Sequence, residues 1–313
     1  MKKRSLFTLL LGLFIFFNQA NAQLTIITGP EGSATYQMAQ DIKTYCKIDI
    51  AISPTEKLVD GFRNLQAGKV CFMQYDILQN ELYNDLKNGT KNAEKSDLLL
   101  PLGNEEIHLI ALSESDIRDF SGLNGKKVGV GKAGETMRQT VQVLKSLSKS
   151  KWTDVEYSGR EAIKALLNKE IDAMFFIGNA PDEKLTVFSK LPGANETLRL
   201  VPIEEKSLEG SYTSTTIRAS TYKWADYQIE TYAAKLVLVA IGTEDIKSPE
   251  SQQYIKLLTQ LKTHIKTLQR SGHRSWRRVS FVFDGLNWNR HIAAQQVFDP
   301  KIPTEKKTDE KKK

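Results

Sequence analysis

Residues 24–45 read LTIITGPEGSATYQMAQDIKTY. The first five residues form a short apolar, β-branched run; it stops at Gly29-Pro30, and from Thr35 to Tyr45 the apolar spacing is helical. A strand, a glycine turn and a helix in that order form the opening unit of an α/β sheet. Further strand candidates stand at residues 48–52, 70–73, 108–112, 127–130, 154–157 and 173–177, with helical stretches between most of them. Such alternation predicts an α/β fold whose sheets are mostly parallel and flanked by helices.

The same unit recurs at residues 127–136, KVGVGKAGET, where Gly129, Gly131 and Gly134 stand at the spacing G-x-G-x-x-G before a helix that begins near Glu135. Asp154 or Glu156 follows about twenty residues later, so the spacing admits a dinucleotide loop. Three points weigh against it: Glu135 would put a carboxylate beside the pyrophosphate, the chain reads as exported, and the match stands alone. The same geometry suits a small anion or polar solute. The first helical turn presents unpaired N–H groups, its dipole favours a carboxylate, and Gly134 admits close approach to the backbone. Thr136 adds a hydroxyl, while Arg138 either offers a cation to a cleft or is a solvated helix residue. In the first turn, Tyr36 either presents an aromatic face with a hydroxyl handle or packs its helix. Two such turns on two lobes suggest a cleft that grips a ligand from both sides.

Lys2, Lys3 and Arg4 precede the apolar run 6–17, and Ala20-Asn21-Ala22 supplies small residues for cleavage, the pattern of a secretory signal peptide over residues 1–22. The apolar run is about half the length that spans a bilayer. No cysteine stands at the cleavage point, so a lipid anchor is not indicated and the mature chain is expected to begin at Gln23 outside the cytoplasm. Three basic residues leave with the leader, which lowers the formal charge from +7 to +4. The tail 304–313 holds five lysines against three acids and reads as a disordered, solvated end, so the body carries only +2. That charge excludes the dense basic face of a nucleic-acid binder. Cys46 and Cys71 form either a disulfide or two buried free thiols.

The length suits two lobes. Residues 23–106 read as the first part of lobe one, 107–212 as lobe two, and 213–303 as the return to lobe one with C-terminal helices. The first crossing falls in 98–112, with Glu105, Glu106 and His108 at the start of its strand; the return falls in the Ser/Thr-rich stretch between Val201 and Arg218, before the apolar strand 233–241. Ile255, Leu258, Leu261, Ile265 and Leu268 recur at helical spacing with lysines on other faces, the pattern of a helix packed on lobe one or of a basic helix lying on a membrane.

Catalytic signatures are missing from the sequence. His108, His264, His273 and His291 lack metal-ligand spacing, and neither an H-E-x-x-H nor a G-x-S-x-G motif occurs. Neither metal nor cofactor is expected. For an exported enzyme the only general-base candidates would be Glu135, Asp76 and His108.

A family resemblance joins these features. Residues 28–36, Thr-Gly-Pro-Glu-Gly-Ser-Ala-Thr-Tyr, resemble the T-G-x-x-G-G-x-Y-Y opening of the TAXI family, the solute-binding subunits of one class of TRAP transporters. The stretch 62–68, FRNLQAG, is similar to the family's N-x-x-x-L-x-x-G, Gln74-Tyr75-Asp76 to its Q-S-D, and 120–130, FSGLNGKKVGV, to its L-x-G-K-x-V-x-V. Residues 171–181, IDAMFFIGNAP, resemble D-A-x-F-x-x-x-G-x-P, and His291-Ile-Ala-Ala294 resembles H-P-G-A. The order of the motifs is kept through most of the chain. The resemblance implies a monomeric periplasmic binding protein with two α/β lobes joined by two crossover strands. It would close on a small organic acid or amino acid, commonly glutamate-like, and deliver it to the membrane permease of a TRAP transporter without covalent chemistry. It also implies a ligand site made by Thr28, Gly32, Ser33, Tyr36, Gln74 and Asp76 from lobe one and by Gly134, Glu135, Thr136, Arg138, Phe176 and Asn179 from lobe two. The departures bear on the ligand: Ser33 replaces a glycine, Thr35 a tyrosine, and the loop at Gly131 is one residue short with Glu135 where a small residue is usual. In the cleft, Glu135 would repel a second carboxylate and favour an amino group; facing solvent, it would do neither. An alternative keeps the fold and makes the ligand a signal, with docking to a sensor or other partner through the basic region around Trp276.

Overall fold

The computed structural model describes residues 23–188 and 194–299. The expected leader, residues 1–22, and the lysine-rich tail lie outside them. The chain runs β1 (Leu24–Thr28), α1 (Ala34–Tyr45), β2 (Ile50–Pro54), α2 (Leu58–Arg63), β3 (Lys69–Gln74), α3 (Tyr75–Asn88) and β4 (Ser96–Leu112). It continues through β5 (Lys127–Gly129), α4 (Thr136–Ser148), β6 (Thr153–Val155), α5 (Gly159–Leu167), β7 (Ala173–Gly178), α6 (Glu183–Phe188), α7 (Ala194–Thr197) and β8 (Leu198–Val201). β9 (Thr213–Ile217), β10 (Ile229–Ile241), α8 (Pro249–Ser271) and α9 (Ile292–Phe298) complete it.

The strands form one continuous ladder in the order β2-β1-β3-β10-β4-β7-β5-β6, with β8 added on β4 and β9 on β10. β1, β2 and β3 are parallel, as are β5, β6 and β7. Between these two groups lie β4 and β10, antiparallel to each other and long enough to belong to both. Residues 96–104 of β4 pair with the second half of β10, while residues 106–112 pair with β7 and β8. β10 likewise pairs with β9 through Ile229–Ala233 and with β3 through Leu236–Ala240. The expected two-lobed α/β architecture, each lobe mostly parallel and joined by two strands, is the one observed. Residues 213–217, in the Ser/Thr-rich stretch, are strand β9 on the lobe-two half of β10, and β10 itself carries the chain back.

Each lobe is packed on both faces of its sheet. In lobe one, α1, α8, α9 and Trp276 cover one face and α2, α3 and Trp288 the other. In lobe two, α4 with Phe120 and Trp152 covers one face and α5 with Tyr222 and Trp224 the other. α8 shows why the sequence folds this way. Ser248 caps its first turn, Pro249 opens it, and Tyr254, Leu257, Leu258, Leu261 and Leu268 are buried along one stripe against the lobe-one core. The apolar stripe of the basic helix is thus covered by the protein itself, and no helix of the described residues is long and apolar enough to cross a membrane.

Cys46 and Cys71 are free, buried thiols. Cys46 belongs to the cluster under α1 and α8, Cys71 to the cluster under α2 and α3, so the lobe-one sheet separates them and no bridge forms.

Candidate functional site

The carboxyl ends of β1, β3, β5 and β7 converge where the two lobes meet, the position at which open α/β sheets hold ligands. A cleft of about 470 Å³ opens there, walled by both lobes. Its lobe-one wall is the turn between β1 and α1. Ser33 Oγ accepts the Tyr36 N–H at 3.2 Å and so caps α1, and the Gly29 N–H donates to Thr35 Oγ1 at 3.0 Å, which folds the turn back over the helix start. Gly32 sits at φ 81°, a left-handed conformation that glycine adopts without strain.

The lobe-two wall is the turn between β5 and α4. Glu135 lines the cleft and is fixed by two bonds: its Oε1 accepts from Ser158 Oγ at 3.0 Å and its Oε2 from the Lys132 N–H at 3.1 Å. Gly131 sits at φ 90°, a left-handed conformation that strains other residues, and a Cβ there would press on Glu135 Oε2 at 3.0 Å and Met137 Cε at 2.9 Å. Thr136 follows on the cleft wall. Beyond β7, Phe176 and Asn179 line the cleft; Asn179 Nδ2 donates to Ser275 Oγ at 3.1 Å, reaching across to lobe one.

Gln74 at the end of β3 and Glu105 near the middle of β4 form a buried part of the wall. Gln74 Nε2 donates to Glu105 Oε2 at 2.8 Å. Burial pushes the Glu105 carboxyl up to about 7; the Gln74 bond works against that shift, and the charges of Asp76 and Asp182 add to it. Glu56, Glu183 and Asp182 bring further carboxylates. Among the described lining residues the cationic types are Lys184 and Arg274, together with His273, which burial and the adjacent Arg274 pull below its ordinary value. Arg274 is committed: its Nη2 donates to Asp182 at 2.9 Å and its Nη1 to the Pro181 carbonyl.

Of the residues expected at the site, Gly32, Ser33, Gln74, Glu135, Thr136, Phe176 and Asn179 line this cleft. Thr28 and Tyr36 stand behind the first turn, Thr28 fully buried with its hydroxyl on the Gly29 carbonyl and Tyr36 with its hydroxyl taking a bond from Gln40. Asp76 points away, because the first turn of α3 packs on lobe two: its Oδ2 accepts from Tyr212 at 3.0 Å, and burial pushes its carboxyl up to about 6. Gly134 and Arg138 line a separate groove of about 320 Å³ between α2, α3 and α4. Arg138 turns to Asp154 at 3.5 Å and Glu156 at 3.7 Å, its opposite charges on β6 and just beyond. Glu105, His273, Arg274 and Ser275 are cleft residues that motif reading missed. The acidic pair Glu105-Glu106 at a lobe crossing was the available signal for the first; the last three arrive from a 3₁₀ turn (Arg274–Arg278) and its cap His273, far along the chain.

His108 is a core residue. The Glu106 carbonyl faces His108 Nδ1 at 3.0 Å and can only accept, which places the ring proton there and leaves Nε2 to accept from Tyr222 Oη at 2.8 Å; Tyr222 Oη in turn accepts the Asp182 N–H at 2.9 Å. Burial lowers its pKa to about 4. Among the described residues no group of three His, Cys, Asp or Glu is placed to hold a metal ion.

The sequence profile of the NMT1-like family matches residues 26–299. No curated protein matches the chain. Among solved structures, XAC2383 from Xanthomonas citri bound to ATP is similar at 12% identity, with 82% of this chain and 94% of that chain covered and a TM-score of 0.50. A TctC solute binding protein from Polaromonas matches at 13% identity, 81% and 92% coverage and a TM-score of 0.47. The GluR0 ligand-binding core from Nostoc punctiforme, in complex with L-glutamate, matches at 16% identity, 79% and 98% coverage and a TM-score of 0.42.

Proposed function

The chain belongs to the NMT1-like family, and on that premise we propose that it is an extracytoplasmic solute-binding protein. It takes a small amino acid or organic acid between its lobes and hands it to a membrane permease. The observation that carries this reading is the cleft itself: one concave site, walled by two helix starts from different lobes, at the carboxyl ends of both sets of parallel strands. A carboxylate of the ligand is held by the N–H groups at the starts of α1 and α4, with Ser33, Thr136 and Asn179 supplying side-chain bonds. Closing the lobes excludes water, and affinity comes from exchanging the ligand's hydration for fixed protein groups. The site residues bind and orient; none is assigned a bond-breaking role. The TAXI resemblance supports a permease of the TRAP type and a glutamate-like solute, and the leader-like residues 1–22 support a periplasmic location.

The test is a thermal-shift screen of the chain from Gln23 onward against amino acids, di- and tricarboxylates, sugars and nucleotides. A ligand at about a hundred times its Kd adds ~2.7 kcal/mol of stability, a clear rise in melting temperature. Absence of any shift, with a folded sample, would sink the binding-protein reading.

A further inference from the structure

The cleft wall at the lobe crossing is rich in acceptors that have nothing to accept from. Gln74, 7% exposed, turns its Nε2 to Glu105, which leaves its Oε1 buried without a hydrogen-bond partner. Asn104 Oδ1 is buried in the same condition beside a void of about 10 Å³ that shares Glu105, Asn179, Leu236 and Ser275 with the cleft. Glu105, 9% exposed, takes a single bond, the one from Gln74. A buried acceptor without a donor is costly, and a native protein normally satisfies it. The group that would satisfy Gln74 Oε1 and Glu105 together is a donor with no acceptor of its own and a positive charge, which describes an ammonium: three N–H bonds and no lone pair. A carboxylate set against Gln74 would instead meet the Glu105 carboxylate, and Arg274 is already held by Asp182 and Pro181.

We propose that this cleft selects solutes by a protonated amine, seated against Glu105 and Gln74, and so takes an amino compound rather than an amine-free di- or tricarboxylate. The inference rests on the binding-protein reading and narrows its ligand class. Glu105 is the specificity-determining residue: its carboxylate faces the amine, while Gln74 holds that carboxylate in place and adds its own carbonyl.

The experiment compares binding of lysine, arginine, glutamine and putrescine with that of succinate, glutarate and citrate to the chain from Gln23 onward, by thermal shift and then calorimetry. At least one amine is expected to bind and the amine-free acids are not. Glu105→Gln, which keeps the size and an acceptor for Gln74, should weaken the bound amine by ~30-fold or more, since it removes one partner of a desolvated charge pair. Because a variant can lose affinity through misfolding, a second measurement uses the unaltered protein. Its affinity for the amine should rise between pH 6 and pH 8 as Glu105 releases its proton. The charges of Asp76 and Asp182 act on Glu105, and Glu56, Glu135, Glu183, Lys184, His273 and Arg274 line the same cleft. An amine-free acid or a sugar that binds while the amines do not overturns the proposal and leaves the binding-protein reading standing. So does an amine whose affinity is unchanged by Glu105→Gln. Failure of every amine, acid, sugar and nucleotide overturns both.

Discussion

Glu105 weakens the fold that holds it. Its carboxyl titrates at about 7 in the folded chain against 4.5 as its ordinary value, so between those two pH values the folded state keeps a proton that the unfolded state has lost. The folded protein is therefore favoured by acid at this position: the cost is fully present above about pH 7, shrinks as pH falls, and is gone below 4.5. Glu105→Gln is expected to raise stability at pH 8 by on the order of 3 kcal/mol, with the two proteins converging near pH 4.5, as urea titrations at both pH values would show. An equal gain at both would remove the burial argument. Asp76 carries the same sign over a lower window, up to about 6. His108 has the opposite dependence. Its folded pKa of about 4 lies below its ordinary 6.5, so its contribution is complete above 6.5 and is lost as pH falls toward 4. Tyr222→Phe deprives His108 Nε2 and the Asp182 N–H of their shared partner and should cost about 1–3 kcal/mol in the same titrations, with the loop after β7 loosened.

At the scale of elements, the two strand–turn–helix units behave differently under the same substitution. Ser33 supplies the side-chain cap of α1, whereas α4 begins at Glu135 without one, its carboxylate folded back on Lys132 and Ser158 instead. Ser33→Ala should therefore destabilise by ~1 kcal/mol and Ser33→Gly by less, measured by thermal melts, and neither should alter m-values. These units were legible because a β-branched run, a glycine and a helical stripe are all local signals. β1 matches its expected bounds, and β5 and β7 fall within a residue of theirs. β2 is displaced by two residues toward Pro54, since pairing with β1 and not local propensity sets its start. The first half of β4 carries no strand signal of its own, since Pro101, Gly103 and Asn104 interrupt it; its ladder with β10 holds it extended through two register shifts. β9 was hidden in a Ser/Thr-rich stretch that becomes a strand only by pairing with β10. The candidate site divides in the same way. The turn residues were visible, while Glu105 meets Gln74 from another strand and the Arg274 turn meets the loop after β7 more than ninety residues away, and no local pattern encodes that.

Across the whole molecule, side-chain hydrogen bonds among the described residues join lobe one to lobe two on two sides. On one side Tyr212 donates to Asp76. On the other, the turn Arg274–Arg278 holds the loop after β7: Arg274 binds Asp182, while Arg278 binds Glu106 and the Ala180 carbonyl. The Glu106 side chain is 3% exposed and also accepts the Ala180 N–H, so removing Arg278 strands a buried carboxylate. Arg278→Ala should cost about 2 kcal/mol and favour parted lobes, seen as a larger radius of gyration by small-angle scattering and as weaker ligand binding. Unchanged scattering and affinity would show that the clasp does not govern closure. The place of β10 has a consequence for how the chain is made. It lies between β3 and β4, yet it is synthesised long after both. Until Ile229 and the residues after it arrive, β3 and β4 carry bare edges and the lobe-one sheet has no middle, so the first lobe cannot assemble behind the ribosome as an independent unit. A nascent chain of this order keeps its first lobe open until it is nearly complete, so that lobe is the last to close although its first strand is the first made.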